Sequence, residues 1–235
     1  MAGQYLRGAM IEFTESFPIP LPNVILFQYN PETMTHTWTP AKTGGANSPG
    51  QGPSNPLAIS GPPEESFSFT LSMDAGDTIA DGSAVTAGLA TISGVYPRIA
   101  AMEMLLFPTA PPGGGLIGSV SSALGLSGGS AAATSVPAAQ LPTVLFVWGP
   151  GRIAPVRVTA LTFTEKLYDG TLLIPTHAEA QITLKVLTPP ELQYVDGPLG
   201  MLANAAATYT TGLREALAIA NLANSVESII GMLPV

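Results

Sequence analysis

Hydrophobic and polar positions alternate most regularly in two stretches of this chain. In His177–Leu187, Ala178, Ala180, Ile182, Leu184 and Val186 fall on one side, and Glu179, Gln181, Thr183 and Lys185 on the other. Ser66–Met73 repeats the pattern, with Phe67, Phe69, Leu71 and Met73 opposed to Ser66, Ser68, Thr70 and Ser72. Period two is the signature of a strand with one buried face. Thr143–Trp148 is a continuous apolar run halted by Gly149-Pro150-Gly151, and Pro155–Tyr168 is a β-branched and aromatic run halted by Asp169-Gly170. With His177–Leu187 they predict three successive strands. Earlier strands are predicted at Ala9–Phe13 and Asn23–Tyr29, the latter apolar on nearly every residue and therefore expected to be buried on both faces.

Within Pro155–Tyr168 the apolar set changes phase. Val156, Val158 and Ala160 share one parity, and Leu161, Phe163 and Leu167 the other. A one-residue bulge produces such a shift. So does a strand whose halves bury opposite faces, one in its own core and one against a neighbour; on that reading Val158 and Phe163 are candidate interface residues.

Helical signals are fewer. Tyr96-Pro97 opens a short helix with Ile99, Met102 and Leu106 as its buried stripe and Pro108 as its stop. Asp74–Ser93 is ambiguous. Pro189-Pro190 ends the sheet, and residues from about Pro198 to Leu233 read as helix with gaps at Gly200 and Gly212. In that tail Ile219, Leu222, Val226 and Ile229 form one stripe, and only Arg214, Glu215 and Glu227 are charged, so more than one of its faces is expected to be covered. Residues 40–63 (Pro/Gly-rich) and 109–142 (Gly/Ala/Ser/Pro-rich) read as flexible loops. The division expected is a β domain over 1–190 and a helical extension over 191–235.

Composition narrows the function. Charged residues make up 10% of the chain against roughly 25% in average domains. A surface this poor in charge faces lipid or other protein. No apolar run reaches the ~18 residues of a membrane span, and the N-terminus lacks the apolar core of a signal peptide, so burial against neighbouring subunits is expected, without membrane insertion. A net charge of −8 argues against nucleic acid. Cysteine is absent, which removes thiolate metal sites and cysteine nucleophiles, and the two histidines, His36 and His177, lie far apart. Gly149-Pro150-Gly151-Arg152 and Gly113-Gly114-Gly115 do not match a phosphate loop. The acidic clusters Glu64-Glu65 and Asp74/Asp77/Asp81 read as solvated loop acids, and Asp74–Asp81 lacks the Gly and distal Glu of a calcium loop. No catalytic residue, cofactor or metal ligand is predicted. Trp148 and Arg152, flanking the turn after the apolar strand, are of the types enriched at interface anchors; a core Trp beside a turn Arg is the equal alternative.

Several segments together are similar to one family. Met10–Phe13, Asn23–Glu32, Glu65–Leu71, Gly94–Pro97, Ala101–Pro108, Val144–Arg152 and the run from Pro155 resemble, in the same order, the tube-initiator or spike-adaptor proteins of contractile injection systems, which are phage-tail-like particles. The resemblance covers roughly residues 7–190. It implies a mainly β protomer of tail-tube type, a barrel or sandwich with one packed helix. Protomers would form a homo-oligomeric, hexameric ring in the baseplate, joining the spike hub to the inner tube, with baseplate wedge proteins as further neighbours. By motif, Asn30, Pro31, Glu32, Trp148 and Arg152 become candidate contacts. Assembly is expected in the cytoplasm, within a particle that is released or attached to a membrane. Family members usually continue into a LysM module, whereas this chain ends in the low-charge helix. The alternatives are the bulk inner tube protein, against which the long loop and the helix count, and a monomeric sugar- or peptide-binding β-sandwich.

Overall fold

A computed structural model describes residues 6–14, 21–43, 59–81, 84–107, 141–195 and 197–232. Seven strands form one antiparallel sheet: β1 (Ala9–Thr14), β2 (Leu21–Leu26), β3 (Met34–Thr39), β6 (Glu64–Asp74), β7 (Val144–Val147), β8 (Ile153–Tyr168) and β9 (Pro175–Val186). Their order is β2-β1-β7-β8-β9-β6-β3. The short strands β4 (Lys42–Thr43) and β5 (Ile59–Ser60) pair separately, inside the stretch expected to be loop throughout. The fold is mainly β with added helices, and its seven-stranded sheet is open.

That sheet curls on itself. Phe146 on β7 and Phe67 on β6 are three strands apart, roughly 14 Å in a flat sheet, yet their ring centroids are 5.4 Å apart. Phe27, just past β2, reaches Phe69 at 5.6 Å across five strand intervals. The alternation read from the sequence causes this: Phe67, Phe69, Leu71, Met73, Ala178, Ala180, Ile182 and Leu184 all fall on the concave face, and their burial together closes the curl. Where the sheet's ends approach, a side chain replaces a strand. The Gln28 amide donates to the Asp74 carbonyl at 2.8 Å and accepts the Asp74 N–H at 3.0 Å.

The phase change in β8 is a bulge. Val158 pairs with Leu184 and Ala160 with Thr183, leaving Thr159 as the extra residue, its hydroxyl donating to the Thr183 carbonyl at 3.1 Å. Leu161 and Phe163 then oppose Ile182 and Ala180, so both halves of the strand bury the same face. The opposite-face reading is overturned: one inserted residue flips parity and keeps the apolar set on the core side.

Other expectations are corrected. Asn23–Tyr29 is not buried on both faces. The strand stops at Leu26 and lies at the sheet's edge, where Ile25 and Phe27 are buried while Val24 and Leu26 are exposed. Met34–Thr39, polar on most positions, is the opposite edge strand. Asp74–Ser93 resolves into α1 (Ala75–Asp81) and α2 (Ala84–Ser93). In α3 (Tyr96–Glu103) Ile99 and Met102 are buried as expected, but Leu105 replaces Leu106 in the stripe. The chain tightens there into a 3₁₀ turn at Met104–Leu106, and three residues per turn advance the buried position by one. Pro108, residues 44–58 and residues 109–140 lie outside the described residues.

After a single turn, α4 (Pro189–Leu192), capped by Thr188 and Glu191, the tail is one continuous helix, α5 (Gly197–Met232). The expected gaps at Gly200 and Gly212 do not occur. A Cβ at Gly200 would lie 2.0 Å from the Val195 carbonyl oxygen, so glycine there permits close packing of the helix start. Ala203, Ala206 and Thr210 form the buried face of α5. The side chains of Val226 and Ile229 lie outside the described residues.

Candidate interaction surfaces

Asn30, Pro31 and Glu32 occupy the turn between β2 and β3. Asn30 is a structural bridge: its carbonyl oxygen accepts the Gly8 N–H at 2.9 Å and its amide donates to the Leu6 carbonyl at 2.8 Å. Pro31 is half-buried, and Glu32 is exposed and continues the turn. Trp148 is half-buried against the core, stacked on Phe146 at 6.2 Å and beside Phe27 at 6.3 Å. Its N–H closes the Gly149–Gly151 turn by donating to the Arg152 carbonyl at 2.8 Å. Val158 is buried and Phe163 half-buried on the same concave face.

Arg152 belongs to a cluster at one mouth of the curl that sequence order gives no hint of. Glu65 is not a solvated loop acid: it lies on β6, almost fully buried, and one of its oxygens accepts from Arg214 on α5 and lies 2.8 Å from His36 Nε2 on β3. Arg152 sits over the Phe67 ring at 4.8 Å, and Arg214 over Trp38 at 4.9 Å. His36 stacks on Phe67 at 4.5 Å. Burial pushes the Arg152 guanidinium below its ordinary range, opposed by Glu65 and reinforced by Arg214. An acid taken out of water needs such partners, and among the described residues no buried side-chain polar atom is left without one. Three elements distant in sequence are tied together, and α5 is locked across the mouth. The Thr210 hydroxyl donates to the Ile153 carbonyl at 2.6 Å and the Tyr209 hydroxyl to the Pro150 carbonyl at 2.8 Å. Beside this network is a cavity of about 370 Å³, walled by Trp38, Pro62, Pro63, Val186 and Leu187 and reached by Arg214.

The other mouth is apolar and exposed. The β8–β9 hairpin tip presents Leu167, Tyr168, Leu172 and Leu173, with Leu167 72% and Leu173 73% exposed. Both leucines adopt left-handed backbone, φ 53° and 55°, which costs an L-residue with a large side chain roughly 1–2 kcal/mol. The turn is held by Asp169, whose carboxylate accepts the Thr171 and Leu172 N–H groups at 2.8 and 2.9 Å. The α2–α3 turn is pinned beside it by the Val95 N–H donating to the Pro175 carbonyl at 3.1 Å. There Gly94, at φ 57°, is required, since a Cβ would lie 2.3 Å from that carbonyl oxygen.

Among the described residues no strand pairs with the outer side of β2 or of β3. Neither strand contains Asp, Glu, Lys or Arg. Among the described residues no group of three or more potential metal ligands converges, and no helix is long and apolar enough to cross a membrane. Compared with models of known protein families and with curated proteins, the sequence has no match in either.

Proposed function

We propose that this chain is a structural ring component of a contractile injection particle, an adaptor between the spike hub and the inner tube, whose protomers join through the edges of their curled sheets. The observation that carries the reading is the pair of edges, β2 and β3, at opposite ends of one open sheet: neither strand contains Asp, Glu, Lys or Arg, and among the described residues no further strand pairs with either. Solitary proteins blunt such edges with Lys, Pro or bulges; neither β2 nor β3 contains Lys, and of their twelve residues Pro22 alone is proline. Two different edges that pair with each other make a heterologous contact, which generates a closed ring when the rotation closes. The 10% charge content and the ordered resemblance of residues 7–190 support the same reading.

The test is assembly of the purified chain, followed by sedimentation velocity and negative-stain imaging. Closed rings are expected. Thr35→Lys/Thr37→Lys on β3 and Val24→Lys/Leu26→Lys on β2 should each leave a folded monomer, and mixing the two variants should give a dimer and nothing larger. A wild-type chain that stays monomeric at every concentration overturns the reading. In that case the cavity beside Trp38 makes a peptide-binding module the better one, because an aromatic-lined pocket next to a free strand edge suits an extended ligand.

A further inference from the structure

The cluster around Glu65 carries more positive charge than its one carboxylate neutralises. Glu65 and Phe67 are successive residues on the buried face of β6, roughly 6.6 Å apart along the strand. The Arg214 guanidinium reaches Glu65, and the Arg152 guanidinium stands over Phe67. Among the described residues Arg152 has no hydrogen-bond acceptor, and Arg214 has only the Glu65 oxygen. The acids on adjoining segments do not make up the difference. Glu64 and Glu191 are both engaged by Lys185. Glu215 follows Arg214 in sequence but is exposed, about 100° around α5 from it.

This surplus stands beside the cavity of about 370 Å³, whose wall includes both Arg214 and Glu65. That volume lies within the range of small-molecule pockets, roughly 300–1,000 Å³. The rest of the wall has little to offer a polar group. Trp38, Val186, Leu187 and Ala207 are apolar, and the prolines at 62, 63, 155 and 189 have no N–H to give. The Leu187 and Thr188 amides are already donated, to the Pro155 carbonyl and the Glu191 carboxylate, at 2.9 Å each. A guanidinium is a donor only, and its fork matches the two oxygens of a carboxylate.

We propose that this cavity binds a small monocarboxylate with an aliphatic body, of the medium-chain fatty acid class, its carboxylate on Arg214 beside Arg152 and its chain along Trp38, Val186 and Leu187. Charge selects the headgroup. With His36 neutral, two guanidinium groups less one carboxylate leave a single positive charge, which a monoanion neutralises and a phosphate dianion oversteps. The wall selects the body, because a bare inorganic anion would leave the apolar side chains wet and a neutral apolar molecule would leave the guanidinium without an acceptor. The cavity lies within one protomer, so its occupant is independent of the ring reading above.

Calorimetric titration of the full chain with decanoate, decanol and acetate tests this occupant. Decanoate should bind saturably, one molecule per chain, below the concentration at which it forms micelles. Decanol should bind about tenfold more weakly, since it lacks the charge-assisted hydrogen bond, and acetate should not bind measurably. Arg152→Gln keeps the Glu65–Arg214 pair; it should weaken decanoate about tenfold and leave decanol unchanged. Ala207→Phe, with its circular dichroism unchanged, fills the cavity and should abolish binding of both. Four results overturn the proposal: no saturable binding of decanoate, equal affinity for decanoate and decanol, decanoate binding that survives Ala207→Phe in the folded variant, or decanoate binding indifferent to Arg152→Gln.

Discussion

The two mouths of the curled sheet invert the usual distribution of polarity. At the α5 mouth a carboxylate and two guanidinium groups are drawn into an aromatic nest and covered by a helix. At the hairpin mouth four large apolar side chains stand in solvent, two of them on strained backbone. The covered charges stabilise the protomer, since each is matched by a partner from a different element. The exposed leucines do nothing for the protomer's own core, and their left-handed backbone weakens it. One mouth therefore holds this chain together, and the other offers surface to something else.

The largest expected difference between the mouths comes from Glu65→Ala. Removing a partner from a buried ion pair costs roughly 3–5 kcal/mol, and because Arg214 is partly in water the expected loss is about 2–3 kcal/mol. Urea unfolding of the variant measures it; a loss below about 1 kcal/mol would make this mouth no different from ordinary surface. Leu167→Gly should act in the opposite direction, stabilising by about 0.5–1 kcal/mol, because glycine adopts the left-handed region without strain and no burial is lost. Thermal unfolding reads this change, and a destabilised variant would show that the tip leucines are packed in the free protein.

The smallest effect is a pH dependence at the hairpin end. Burial pushes the Asp74 carboxyl up, but the amides of Asp77 and Gly76 together with His177 outweigh it and hold the group below its ordinary range. The amides of Leu172 and Thr171 lower Asp169 likewise. A carboxyl depressed in the folded state contributes stability that is complete above its unfolded pKa, roughly 4, and is lost as pH falls through the lower folded value. Stability should therefore be flat from pH 7 to about 5 and decline below about 4, with amide exchange at residues 169–176 accelerating first. A decline that begins near neutral pH would show that these two carboxyls do not set the sensitivity.

The strands β6 and β9 were legible because one face of each is buried, and alternation records that directly. The bulge was legible as a phase change, but its consequence was not. Parity alone fits either an inserted residue or a strand with two buried faces, and only the pairing of Val158 with Leu184 and of Ala160 with Thr183 distinguishes them. Met34–Thr39 escaped notice because an edge strand at a mouth buries little and so carries no hydrophobic period. The Glu65 cluster escaped because β3, β6 and α5 supply its members, with 149 positions separating Glu65 from Arg214.

By itself, then, the sequence determined the period-two surfaces, the mainly β class, the helical tail and the poverty of charge, all of which are local or compositional and need no knowledge of neighbours. The tertiary structure decided which apolar faces meet, that the sheet curls and stays open, and that α5 crosses one mouth while Leu217, Ile219 and Leu222 are exposed. Those outcomes depend on contacts between residues far apart along the chain. No local pattern encodes the distance across a curl, because that distance is set by how large side chains from strands three and five places apart fill the space between them.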